Sequence, residues 1–175
     1  MPDKPVASDG GRGAPAGGLG RAWKALTEGL ALAGGVLMVA VACMVTASVL
    51  MRWLADEGIA GDFEIVQIAT ALSAFAFLPL CQAVRGNIVV DSFTTWLPQR
   101  VRDLLDGLWD LVYAAAALMI AWHLFLGARD SLASGTTSMV RQIPIGYAVG
   151  ACAAMAVLLG VAALVTAGRR LGGAR

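Results

Sequence analysis

Four stretches of this chain carry no Asp, Glu, Lys or Arg: residues 29–51, 65–84, 111–128 and 142–168, of 23, 20, 18 and 27 residues. A hydrocarbon core about 30 Å thick takes roughly 20 apolar residues as helix. Each run is therefore matched to one crossing of a bilayer. The composition agrees: 58% of residues are hydrophobic and 14% charged, against about 25% charged in a soluble domain. So few charges cannot cover the apolar surface of a water-soluble domain. The sequence predicts an all-α integral membrane fold with four transmembrane helices, at about 27–51, 64–84, 104–129 and 143–168. A β-barrel would show alternating segments of about ten residues, and none occurs. The first run exceeds a signal-peptide core of about 7–15 residues and reads as an uncleaved span. Residues 1–20, rich in Gly, Ala and Pro, cannot bury enough apolar area to order themselves and are expected to be a disordered tail. Residues 21–170 form the membrane domain, and 171–175 a C-terminal tail.

Lys and Arg are distributed unevenly between the ends of these spans. The N-terminal tail, the second connection and the C-terminal tail hold ten: Lys4, Arg12, Arg21, Lys24, Arg85, Arg100, Arg102, Arg169, Arg170 and Arg175. The first and third connections hold three: Arg52, Arg129 and Arg141. Cationic loops stay in the cytoplasm, so both termini and the middle connection are expected there.

The outward first connection, 52–64, is acidic, with Asp56, Glu57, Asp62 and Glu64. Asp62 can cap span two and Glu64 can sit in its first turn, where the helix dipole favours negative charge. The same carboxylates can also form a rim that receives another protein. The middle connection, 85–110, is predicted to be helical and amphipathic. Asp91 or Ser92 can cap a short helix on which Phe93, Trp96 and Leu97 share an apolar face. A new helix then starts near Pro98 and carries Val101, Leu104, Leu105 and Leu108 at helical spacing. Trp96 and Trp109 suit the membrane interface.

Chemistry-bearing groups are scarce within the spans. Their central polar residues, Thr46, Ser48, Thr70 and Ser73, are of a kind that bonds its own helix backbone. His123, the single histidine, is read as a helix–helix hydrogen bond or an interface anchor rather than a proton relay. One histidine excludes a bis-histidine haem and a His-rich zinc site. Cys43, Cys81 and Cys152 lie in apolar runs without ligand spacing. No nucleophile–base pair or phosphate loop occurs, so neither an enzyme nor a cofactor is expected. A net charge of +1 gives no field for nucleic acid. Pro79 is expected to kink span two. Gly146, Gly150 and Ala154 form a small-residue ladder on span four, suited to packing in the protein's own bundle or against a partner.

In the connections the chain resembles the DctQ family, the small membrane subunit of TRAP transporters. Arg52 follows span one, and Glu64 opens span two in the place of the family's acidic residue. R-G-N-I-V-V-D, from Arg85 to Asp91, resembles the family's Arg…His-Ile…Val-Asp segment, with Asn87 where histidine is frequent. Asn87 can hydrogen-bond but cannot charge. S-G-T-T-S-M-V-R-Q-I-P, ending at Pro144, resembles the segment that leads into the family's last span. The likeness covers residues 25–170. It implies a bacterial inner-membrane protein whose partners are a large TRAP permease subunit and an extracytoplasmic solute-binding protein. The large subunit would carry the solute and ion sites. The small subunit would act as scaffold and docking aid in ion-gradient-driven uptake, often of organic acids such as C4-dicarboxylates. Arg52, Glu64, Arg85, Asn87, Asp91, Trp96, Pro144, Gly146 and Gly150 are the expected structural or partner-interface residues. The alternative is a small homo-oligomeric transporter acting alone, which lacks a membrane-embedded acid to work with.

Overall fold

The computed structural model describes residues 18–84 and 99–173. It comprises α1 (Gly18–Ala55), α2 (Asp62–Ala83), α3 (Gln99–Ala133) and α4 (Ile145–Gly173). All four are long and apolar enough to cross a membrane. The one extended pairing among the described residues is an isolated bridge between Thr137 and Pro144. The all-α membrane fold expected from the charge-free runs is the fold observed. A helix closes every backbone hydrogen bond internally, which hydrocarbon demands.

The helices overrun the runs that specify them. α1 starts at Gly18, so residues 18–20 are helical rather than tail, and α4 continues to Gly173, beyond the expected end of the domain. At 38 residues α1 is about 57 Å long, more than one bilayer core. α3 begins at Gln99, close to the start expected at Pro98. Its first turns leave Leu105, Leu108 and Trp109 exposed. The preceding part of the amphipathic connection, with Phe93, Trp96 and Leu97, lies outside the described residues. α2 runs unbroken through Pro79.

Packing follows an open row, α1–α2–α4–α3, among the described residues. α1 touches α2 alone, α2 also touches α4, and α4 packs along α3. The molecule is thus two hairpins, α1–α2 and α3–α4, which meet along α2 and α4.

Small residues set both hairpin seams. On α1, Thr27, Ala31, Gly34, Val41 and Ser48 are buried, with Met38 and Val45 half-buried between them. Their alternating steps of four and three make a narrow 3.5-residue stripe. A Cβ at Gly34 would lie 3.0 Å from Ala76 Cβ. Ser73 Oγ donates across the seam to the Gly34 carbonyl at 3.1 Å. Close approach of backbones and a shared hydrogen bond are what hold helices together in lipid. Between α3 and α4, Ala114, Ala117, Ala121 and Ala128 are buried. A Cβ at Gly146 would meet Leu132 Cγ at 2.6 Å, and one at Gly160 would meet Leu118 Cδ2 at 2.7 Å. Ala154 does not continue the Gly146–Gly150 ladder: it is exposed, and Ala153 and Ala156 are buried instead. A strict four-residue step advances about 40° per repeat around a 3.6-residue helix and drifts off the seam.

Candidate functional site

α1 and α3 end, and α2 and α4 begin, at the same end of the row. The connections there, 56–61 and 134–144, make this the loop end, which holds the acidic group Asp56, Glu57, Asp62 and Glu64 with Arg52 and Arg141. Its backbone is shaped by four left-handed residues: Asp56 (φ 55°), Gly61 (φ 75°), Gly135 (φ 64°) and Gln142 (φ 53°). Gly135 closes α3 in a Schellman turn. Its N–H donates to Leu132 O at 3.3 Å, and Thr136 N–H donates to Ser131 O at 3.0 Å, satisfying carbonyls that the helix end leaves open. Ser138 N–H then donates to Ile143 O at 3.0 Å, and Ile145 N–H to Thr136 O at 3.4 Å. The 134–144 connection is therefore a folded loop, with Pro144 in its Thr137 bridge.

Asp62 and Glu64 organise this end, each through a serine. Ser48 Oγ accepts from Ile59 N–H at 3.1 Å and donates to Asp62 Oδ2 at 2.8 Å. Ser138 Oγ accepts from Ile143 N–H at 3.2 Å and donates to Glu64 Oε2 at 2.7 Å. Both arrangements run from a backbone N–H through a hydroxyl to a carboxylate. The first ties α1 to α2. The second ties α2 to the α3–α4 loop, more than seventy residues later. Glu64 also accepts from Val140 N–H at 2.8 Å and Arg141 N–H at 3.1 Å. Successive backbone N–H groups aimed at one anion form a nest, here filled by the protein's own carboxylate. Arg141 completes the tie. Its Nε donates to Ala60 O at 2.9 Å, and its stem lies over Gly61, where a Cβ would come within 2.7 Å of Arg141 Cγ. Only glycine meets both that contact and the positive φ.

Several expectations change in detail. Asp62 is not the N-cap of α2. Gly61 holds that position without a side-chain cap. Asp62, the first helical residue, instead accepts from Phe63 N–H at 2.7 Å, while its second oxygen serves Ser48. Arg52 lies 3.8 Å from Asp62 Oδ2 and covers Gly58. Thr46 bonds its own helix at Ala42 O, but Ser48 and Ser73 reach other elements because each faces a neighbour at a helix seam. His123 makes no helix–helix bond among the described residues. Its Nδ1 lies 2.9 Å from Met119 O one turn back, beside an apolar groove that also includes Gly127 and Val149. Gly146 and Gly150 belong to the α3–α4 seam, with Ala128 the neighbour of both. Arg85, Asn87, Asp91 and Trp96 lie outside the described residues.

Ser48, Ser138 and Arg141 escape sequence reasoning as site residues. Ser138 and Arg141 stand inside the family-like segment, the one signal that marked them. Away from the loop end, Gln82 of α2 donates to Asp110 Oδ1 of α3 at 3.4 Å. No cluster of His, Cys, Asp and Glu suited to a metal occurs among the described residues. What the loop end does chemically is tie α1, α2 and the α3–α4 loop together through carboxylates, hydroxyls and backbone N–H groups.

Residues 41–173 match the family of tripartite ATP-independent periplasmic transporters, DctQ component. The chain belongs to the DctQ family. No curated protein and no solved structure matches it. As a DctQ protein it is the small subunit of a TRAP transporter, a multi-pass membrane protein from a family of transporter components rather than of enzymes. The matched region takes in both loop-end connections, so the Glu64 tie and the folded 134–144 loop lie within the DctQ part of the chain. It begins inside α1, later than the residue 25 from which the likeness was read, and reaches the end of α4.

Proposed function

We propose that this DctQ protein is a non-enzymatic scaffold for the large permease subunit and helps to dock the solute-binding protein during ion-gradient-driven uptake of an organic acid. It lies in the bacterial inner membrane with both termini in the cytoplasm and the loop end outside. The observation that carries this reading is where the charges are and what occupies them. The four central runs hold no Asp, Glu, Lys or Arg. The carboxylates at the start of α2 are engaged in ties within the chain. A solute or ion pathway of the usual kind needs polar groups near the midplane. A scaffold needs only length, packing faces and anchors. Exposed aromatic rings at the loop end, Trp53 and Tyr147, suit an interfacial belt.

Docking falls to the folded loop. Met139 is 97% exposed, and Val140 and Phe63 are also open, so an apolar tip stands on a backbone fixed by Glu64. A preformed tip avoids much of the ordering cost of binding. Surface plasmon resonance of the binding protein on the assembled complex tests this. Met139→Asp should weaken binding by about tenfold, the scale of one lost apolar contact of roughly 1.4 kcal/mol, with the small and large subunits still co-purifying. Unchanged affinity would remove the loop from the docking surface.

A further inference from the structure

We propose that Glu64 is a positioning residue that sets the relative placement of the two helical hairpins at the loop end. The row is joined in its middle by α2 against α4, and at the end away from the loops Gln82 of α2 reaches Asp110 of α3. In lipid such a contact has no hydrophobic drive of its own and depends on packing and hydrogen bonds. An α2–α4 seam alone therefore leaves the hairpins free to swing about it. At the loop end, four hydrogen bonds cross between them. Ser138 Oγ, Val140 N–H and Arg141 N–H donate to Glu64, and Arg141 Nε donates to Ala60 O. Glu64 takes three of the four. The Asp62–Ser48 tie lies wholly within the first hairpin, and the Gly34–Ser73 and Gly146–Leu132 contacts lie within the seams. Loss of the Glu64 carboxylate thus leaves one of the four bonds, Arg141 Nε to Ala60 O, between the hairpins at this end and leaves each hairpin intact. At the opposite end the Gln82–Asp110 contact remains as the pivot.

The inference needs no partner chain. Its failure would leave the scaffold reading standing, and failed docking or transport would leave it untouched. The test is electron–electron distance measurement on the full chain in nanodiscs, with Cys43, Cys81 and Cys152 replaced. One spin-label pair, at Leu54 and Arg129, reports the loop end. A second, at Leu26 and Leu108, reports the opposite end; all four positions are exposed. Glu64→Gln puts an amide where the N–H donors converge, and should broaden and shift the loop-end distance while the opposite end stays as narrow as in the wild type. Arg141→Ala and Ser138→Ala each remove one of the four bonds and should give smaller changes of the same kind, and they carry the test if Glu64→Gln does not accumulate. A loop-end distance as narrow as wild type in these variants overturns the proposal. Equal broadening at both ends also overturns it, since that is general loosening of helix packing and not a hinge.

Discussion

Asp62 and Glu64 stand two residues apart in the first turn of α2, yet they bind in opposite directions along the row. Asp62 turns to Ser48 and Arg52 of α1, and Glu64 to the loop between α3 and α4. Both also place negative charge at a helix N-terminus, where the dipole welcomes it. That general effect was legible in the sequence. Their partners were not, because nothing local ties residue 64 to residues 138–141. Glycines offer a sharper test at this scale. A Cβ at Gly146 would meet Leu132 Cγ at 2.6 Å and the Ala128 carbonyl oxygen at 3.1 Å, whereas one at Gly150 would meet Ala128 Cβ at 3.8 Å, an ordinary contact. Gly146→Ala should therefore cost about 1–3 kcal/mol by overpacking. Gly150→Ala should be neutral or stabilising by up to about 1 kcal/mol through helix propensity. Unfolding of the two variants in mixed micelles measures the difference. Equal effects would mean that the seam is not as close at Gly146 as the structure has it. The sequence marked both glycines as one ladder and had no means of separating them, because their distance to α3 depends on the drift of the helix face.

Each helix was legible from its missing charges, down to the start of α3 near Pro98. Their order in space was not. All four helices are rich in Ala, Leu and Val, so composition does not say which two stand in the middle of the row. Burial marks one of the two: α4 buries eight residues between Cys152 and Ala167, as a helix with neighbours on two sides should, while the shorter α2 buries five. α1 is the contrasting case. Its single stripe packs on α2, and Leu32, Val36 and Val39 face outward. Its attachment is therefore separable. Gly34→Leu would drive a side chain into Ala76 and the Ser73 carbonyl and break the Ser73–Gly34 bond. The expected outcome is loss of a disulfide cross-link engineered between α1 and α2, with a cross-link between α3 and α4 formed as in wild type. Loss of both would show that the row does not come apart at α1.

At the scale of the molecule, orientation and role follow from where charge is kept. The ten-to-three division of Lys and Arg predicts that a cysteine at Asp9 is labelled only after the membrane is permeabilised. A cysteine at Met139 should be labelled in intact cells by an impermeant maleimide. Reversed labelling would put the loop end in the cytoplasm and away from any extracytoplasmic partner. The central claim is that this chain supports transport without supplying the solute or ion site. His123, the single histidine, bonds its own helix, and the carboxylates at the start of α2 are engaged within the chain. The most direct measurement is uptake of a radiolabelled organic acid into liposomes under an imposed sodium or proton gradient. The account predicts no uptake with this chain alone and uptake when the large subunit and the binding protein are both added, with dependence on all three. Robust gradient-driven uptake by this chain alone would contradict it.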